Sequence, residues 1–217
     1  MSQWTRVCPA NAGTVVGYVV SADERFSPAL WTRPTAQPRV LPRRDGDLQG
    51  IGFGLNDRGT VVGGLAGADG NFVPARWRPR LADLRVSVHT VPGMAHDVNA
   101  RGQTAGVVTV PGQGGEQAVR WGRSGSARLL GRLPGGTWSI GYAVSSRGSV
   151  VGQADDATGT PKAFAWANPG PIRALPTLVA GGDSTANDVD DHGTSAGSSA
   201  GPDGTTRAVL WHCSVRR

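Results

Sequence analysis

Two aspartates, a histidine and a tyrosine are the residues of this chain whose type and spacing could support acid–base chemistry. Asp97 stands five residues before Gly102, and Asp188 stands five before Gly193. At the same offset from Gly13, Gly59 and Gly148 lie Cys8, Gly54 and Ala143. One residue earlier come Val7, Phe53, His96, Tyr142 and Asn187. A carboxylate, imidazole or phenol held against a substrate can give or take a proton. If the chain is an enzyme, Asp97, Asp188, His96 and Tyr142 are therefore its catalytic candidates. Neighbours on a strand face opposite ways, so His96 and Asp97 are not expected to form a dyad. The same rule sets the aspartate position opposite the apolar Leu55, Val98, Val144 and Val189, on a crowded face that suits small residues. A plainer role for both aspartates is to meet axial water or cap a backbone amide.

Two tryptophans, Trp4 and Trp138, could stack on a flat ligand. Trp138 is flanked by Gly135-Gly136-Thr137 and Ser139. Its alternative role is to cover a strand end. The candidate ligand-binding set is Trp138, His96, Asp97, Tyr142, Asn187, Asp188, Phe53 and Trp4. His89, His192 and His212 share no metal-ligand spacing with His96, so no metal site is expected. There is no nucleophile elbow, P-loop or dinucleotide fingerprint, and no cofactor is expected. Asp-Gly loops such as Ala66–Asn71 and Ala200–Thr205 lack the ligand count and distal Glu of a calcium loop and read as turns.

These residues sit at fixed offsets because the chain repeats. A Gly-x-Val/Ser/Thr-Val/Ala-Gly core occurs at Gly13–Gly17, Gly59–Gly63, Gly102–Gly106, Gly148–Gly152 and Gly193–Gly197. Each is followed by a Trp closing an apolar run: Trp31, Trp77, Trp121, Trp166 and Trp211. The first glycines are 46, 43, 46 and 45 residues apart and the tryptophans 46, 44, 45 and 45. A period in the forties signals propeller blades or solenoid turns. Within a unit, a strand such as Ser139–Val144 meets a turn with Asn, Ser or Asp first and Gly fourth, then a return strand. The Trp run supplies a third strand. Leu41-Pro42, Val91-Pro92, Leu133-Pro134 and Leu175-Pro176 mark a fourth, which proline assigns to the outer edge. The phased tryptophans are expected to be wedges between blades.

The unit, an Asn-x-x-Gly-x-Val-Val-Gly run followed by Ala-Phe-x-Trp and Leu-Pro, resembles the HAF-repeat family. Leu55–Gly63 and Lys162-Ala163-Phe164-Ala165-Trp166 carry the resemblance, although the family's histidine is absent from every copy. The resemblance implies a bacterial repeat protein, described mainly as extracellular, and assigns no reaction.

The expected architecture is all-β: a five-bladed β-propeller with N- and C-terminal segments closing the ring. It forms a single domain over 1–217, with cores at 13–31, 59–77, 102–121, 148–166 and 193–211. The fifth copy lacks a clear Leu-Pro strand and is expected to have three strands or a short substitute from the tail. An open solenoid is the alternative. Closure would bring Cys8 near Cys213, and a disulfide there would staple the ring. Two unrelated thiols are the alternative.

The net charge of +6 comes from 21 Arg and one Lys, Lys162, against 16 acidic residues. The arginines are spread through all five units and no nucleic-acid motif is present, so nucleic acid is not an expected partner. No apolar run approaches a membrane span, and the first residues lack a signal-peptide pattern. A cytoplasmic monomer without membrane contact is expected, or a secreted one if a leader was removed.

Three functions fit this reading. The first is binding of a carbohydrate or apolar organic molecule in a single pocket at one mouth of the funnel. The second is a cofactor-independent cyclase, isomerase or lyase using the same funnel, and the third is a protein-interaction scaffold.

Overall fold

The Asn/Ser/Asp-x-x-Gly sequences fold as the turns their composition calls for. The amides of Gly59, Gly102 and Gly148 donate to the carbonyls of Asn56, Asn99 and Ser145 at 2.9 Å. The closing glycines have φ between +73° and +90°, a region that side chains disfavour. The first turn residue also folds inward: Asn56 Oδ1 accepts the amides of Arg58 and Thr60, and Asp190 Oδ1 those of His192 and Thr194. Each turn thus meets its own hydrogen-bond demand before any tertiary contact forms.

The computed structural model describes residues 4–9, 13–33, 35–80, 83–88 and 90–212, with nineteen strands among them. The first sheet comprises β1 (Trp4–Pro9), β2 (Val15–Val20), β3 (Phe26–Trp31) and β4 (Arg39–Val40), hydrogen-bonded in that order. The second comprises β5 (Gln49–Leu55), β6 (Val61–Ala66), β7 (Phe72–Arg80) and β8 (Asp83–Val88). The third comprises β9 (Gly93–Val98), β10 (Thr104–Thr109), β11 (Glu116–Trp121) and β12 (Ala127–Gly131). The fourth comprises β13 (Ser139–Val144), β14 (Val150–Asp155), β15 (Pro161–Trp166) and β16 (Ile172–Ala174). The fifth has three described strands, β17 (Ser184–Val189), β18 (Thr194–Ala200) and β19 (Thr206–His212).

The Leu-Pro pairs follow the fourth strands and are not part of them. β4 ends at Val40 and β16 at Ala174, and the leucine that follows is buried in both cases, Leu41 and Leu175. Proline lacks the N–H a ladder needs, yet its carbonyl is used. Trp77 Nε1 donates to the carbonyl of Pro42, and Trp211 Nε1 to that of Pro176, each at 2.7 Å.

The chain falls into two compact units, Met1–Gly102 and Gln103–Arg217. In the first, Val16 and Leu41 from the first sheet pack with Leu55, Val61, Leu65, Ala75 and Trp77 of the second. In the second, Ala105, Ala118, Leu130 and Leu133 pack with Val144, Val150, Phe164 and Trp166. Ala143, Val151, Ala163 and Leu175 pack in turn with Ala186 and Trp211. Trp77, Trp166 and Trp211 therefore wedge between successive sheets, as their phasing predicts. Trp31, Trp77, Trp121 and Trp166 are at most 1% exposed. Successive turns are tied as well: Asn56 Nδ2 donates to Asn99 O at 2.8 Å in the first unit, and the Ser146 amide to Asp191 Oδ1 at 2.7 Å in the second.

Candidate functional site

The inner strands depart from simple alternation at the positions the sequence marks as variable. Register slips by one residue between Arg6 and Cys8, Gly52 and Gly54, Gly141 and Ala143, and Ala186 and Asp188. The extra residue is Val7, Phe53, Tyr142 or Asn187. A bulge of this kind bends the strand and re-aims a side chain. The second core glycine makes room for it. A Cβ on Gly63, Gly152 or Gly197 would run into the carbonyl oxygen of Ile51, Ile140 or Thr185.

At the aspartate position the surroundings are crowded in two of the sheets. Ala143 is buried in the cluster beneath Trp211, on the seam between sheets. Gly54 is also buried, and a Cβ there would lie 2.8 Å from the Asp97 Cα and from the His96 carbonyl oxygen. The bulged Phe53 and Tyr142 are half-buried and Asn187 is exposed, because the added residue breaks the alternation.

In the first unit, Phe53 and His96 are half-buried and meet edge to face, with ring centroids 5.5 Å apart. Asp97 is half-buried, and its Oδ1 accepts the amide of Val98 at 2.7 Å. Asp188, exposed in the second unit, makes the equivalent bond to Val189 at 2.8 Å. Each carboxylate thus caps the amide of the residue that follows it. Asn187 is exposed, and its Oδ1 lies 3.2 Å from Thr185 Oγ1. Trp4 and Cys8 lie on β1, where only the backbone is described. His89 and Cys213 lie outside the described residues, as does the Cys8–Cys213 pairing.

Trp138 belongs to a loop of the second unit that is tied to a buried carboxylate. Asp155, at the end of β14 and 2% exposed, accepts three hydrogen bonds from it. They come from the Thr137 amide at 2.7 Å, the Thr137 hydroxyl at 2.6 Å and the Trp138 amide at 2.8 Å. Burial works to raise the Asp155 pKa, but the Thr137 hydroxyl and the two amides outweigh it and hold the carboxyl below its ordinary range. A Cβ at Gly136 would run into the Asp155 carbonyl, so glycine is required for this approach. The indole that follows is half-buried. Asp155 escapes sequence reasoning because its position carries no repeated motif. The available signal was a carboxylate ending an apolar return strand.

Tyr142, the bulged residue of β13, is half-buried. Burial and then the nearby Glu116 carboxylate raise its pKa, which keeps the phenol protonated at neutral pH. The Asp-Gly loops behave as turns: Asp69 Oδ1 accepts the Asn71 amide at 3.2 Å, and Asp203 binds Thr205 and Arg207. The densest arginine run is divided by Trp77, with Arg76 buried and Arg78 exposed. Burial and then the neighbouring Arg78 push Arg76 down to about 10, so it stays charged at neutral pH.

No protein-family model and no curated protein matches the chain. Among solved structures, TolB from Acinetobacter baumannii is similar, with a TM-score of 0.58 and 18% identity over 95% of this chain. The chain spans 54% of the TolB chain. A mutant of AofleA from Arthrobotrys oligospora matches with a TM-score of 0.45 and 14% identity, over 95% of this chain and 67% of that one. The likeness to TolB shows the fold. The protein is a β-propeller-like, all-β chain of five small sheets.

Proposed function

We propose that the chain is a ligand-binding β-propeller whose five sheets are blades of one closed ring and whose repeats are of the HAF kind. It binds a small organic molecule in a single pocket at one mouth of the funnel, with Trp138 as its aromatic platform. The observation that carries this reading is the Asp155 clasp. Three hydrogen bonds join one buried carboxylate to a segment 17 and 18 residues away, and they fix the backbone from which a half-buried indole projects. Holding a recognition group still before the ligand arrives lowers the ordering cost of binding. A single pocket also agrees with the bulged positions, which differ from sheet to sheet, whereas repeat-borne sites would keep one residue type at each.

Native mass spectrometry of the purified chain against pooled sugars and small lipophilic compounds tests the proposal. One ligand per chain, lost in Trp138→Ala, is the expected result. Several copies retained in that variant would replace the single pocket with repeat-borne sites, and no binding in any pool would favour the scaffold function.

A further inference from the structure

Glu116, one of two glutamates in the chain, stands beside the Trp138 loop although it lies in a different sheet. It opens β11 directly after Gly115, and Gly115 lies against the loop. A Cβ there would come within 2.6 Å of the Thr137 carbonyl oxygen, and φ is +70°. The segment before Glu116 is pinned from both sides. Arg132 donates to the carbonyls of Gln113 and Gly114, and Gln117 Nε2 donates to Gln113 Oε1 at 2.7 Å. Glu116 is exposed, and it belongs to none of the four ion pairs among the described residues.

This juxtaposition brings a residue that bears a carboxylate to the loop that carries an indole. A sugar ring has a complementary chemistry: an apolar C–H face that stacks on an aromatic plane and hydroxyls that donate to a carboxylate. Hydrogen bonds to an ionised acceptor are the stronger kind, so one carboxylate can orient the ring. We propose that Trp138 and Glu116 form a subsite for a neutral saccharide, with Trp138 stacking on the ring and Glu116 accepting its hydroxyls. The proposal rests on the ligand-binding function given above and narrows it to a ligand class and a recognition residue.

Saturation-transfer NMR and calorimetry with a pool of neutral mono- and disaccharides, and in parallel with the apolar probe 1-anilinonaphthalene-8-sulfonate, provide the test. Wild-type protein, Trp138→Ala and Glu116→Gln are compared, with unfolding curves to verify that each variant is folded. Expected is saccharide binding by the wild type, abolished in Trp138→Ala and weakened about tenfold or more in Glu116→Gln. Saccharide binding that is lost in Trp138→Ala but unchanged in Glu116→Gln overturns the role of Glu116 and leaves the Trp138 pocket standing. Binding of the apolar probe alone, lost in Trp138→Ala, overturns the saccharide class only. If no probe responds to Trp138→Ala, both the subsite and the pocket fall.

Discussion

Strands β13 and β14 take part in two regions built to opposite rules. Within and between sheets, the repeated residues seal the structure: Gly152 admits the Ile140 carbonyl inside the fourth sheet, and Trp166, on the seam with the third, is 1% exposed beneath Arg120 and Arg128. At the strand end, a single copy of a non-repeated residue, Asp155, holds a loop whose indole stays partly open. The seam obtains stability from apolar area and close packing, which are roughly additive along the chain. The loop obtains position from a few directed hydrogen bonds. Repetition therefore marks where the protein is held together, and its absence marks where one loop is positioned on its own.

If that contrast is right, damage to the seam should exceed damage to the loop. The largest effect is expected for Gly152→Val, whose side chain meets backbone that cannot move without losing the bulge. Urea unfolding should register a loss of at least ~3 kcal/mol, or no folded protein. Trp166→Ala should cost about 3–5 kcal/mol by the same measurement, for lost burial and an unfilled cavity.

Asp155→Asn should cost less, about 1–3 kcal/mol, and should raise the mobility of the Trp138 indole in fluorescence anisotropy. A cost above that of Trp166→Ala would break the comparison. The acid limb of stability sharpens it. Because the folded Asp155 pKa is lowered, its contribution is fully present above the ordinary unfolded value near ~3.9 and is lost as pH falls through the folded value. Asp155→Asn should therefore flatten part of the stability decline below about pH 4, while other lowered aspartates such as Asp190 and Asp191 keep the remainder.

The smallest effects belong to the rim. Arg128→Gln removes a guanidinium 5.2 Å from the Trp166 ring centroid and its bonds to Asn168 and Pro169. It should cost about 1 kcal/mol in thermal or urea unfolding. Leu210→Thr, at a side chain 64% exposed, should stay within ~0.5 kcal/mol. A larger loss there would mean that Leu210 is covered in solution.

The repeat made the hairpin turns, the strand count per unit and the burial of the tryptophans legible in advance, because each depends on local turn chemistry or on a residue needed in every copy. Three features were not legible. The Leu-Pro pairs sit just past the fourth strands, since a short edge strand leaves little sequence signal of its own. The bulges hid behind the second core glycine, which sequence reasoning takes for a turn or flexible residue when it is in fact a backbone clearance. The Asp155 clasp and the approach of Gly115 to Thr137 join segments whose motifs have nothing in common.

By itself the sequence determined the all-β repeat, the turn at each Asn/Ser/Asp-x-x-Gly and the residues that seal one sheet against the next, because period, turn propensity and apolar pattern act over a few residues at a time. Only the tertiary structure decided which side chains the bulges turn outward, that Asp97 and Asp188 cap their own strands, and that Glu116 stands beside the Trp138 loop. Those outcomes depend on backbone register and on contacts between sheets, and neither is encoded in any single stretch of the chain.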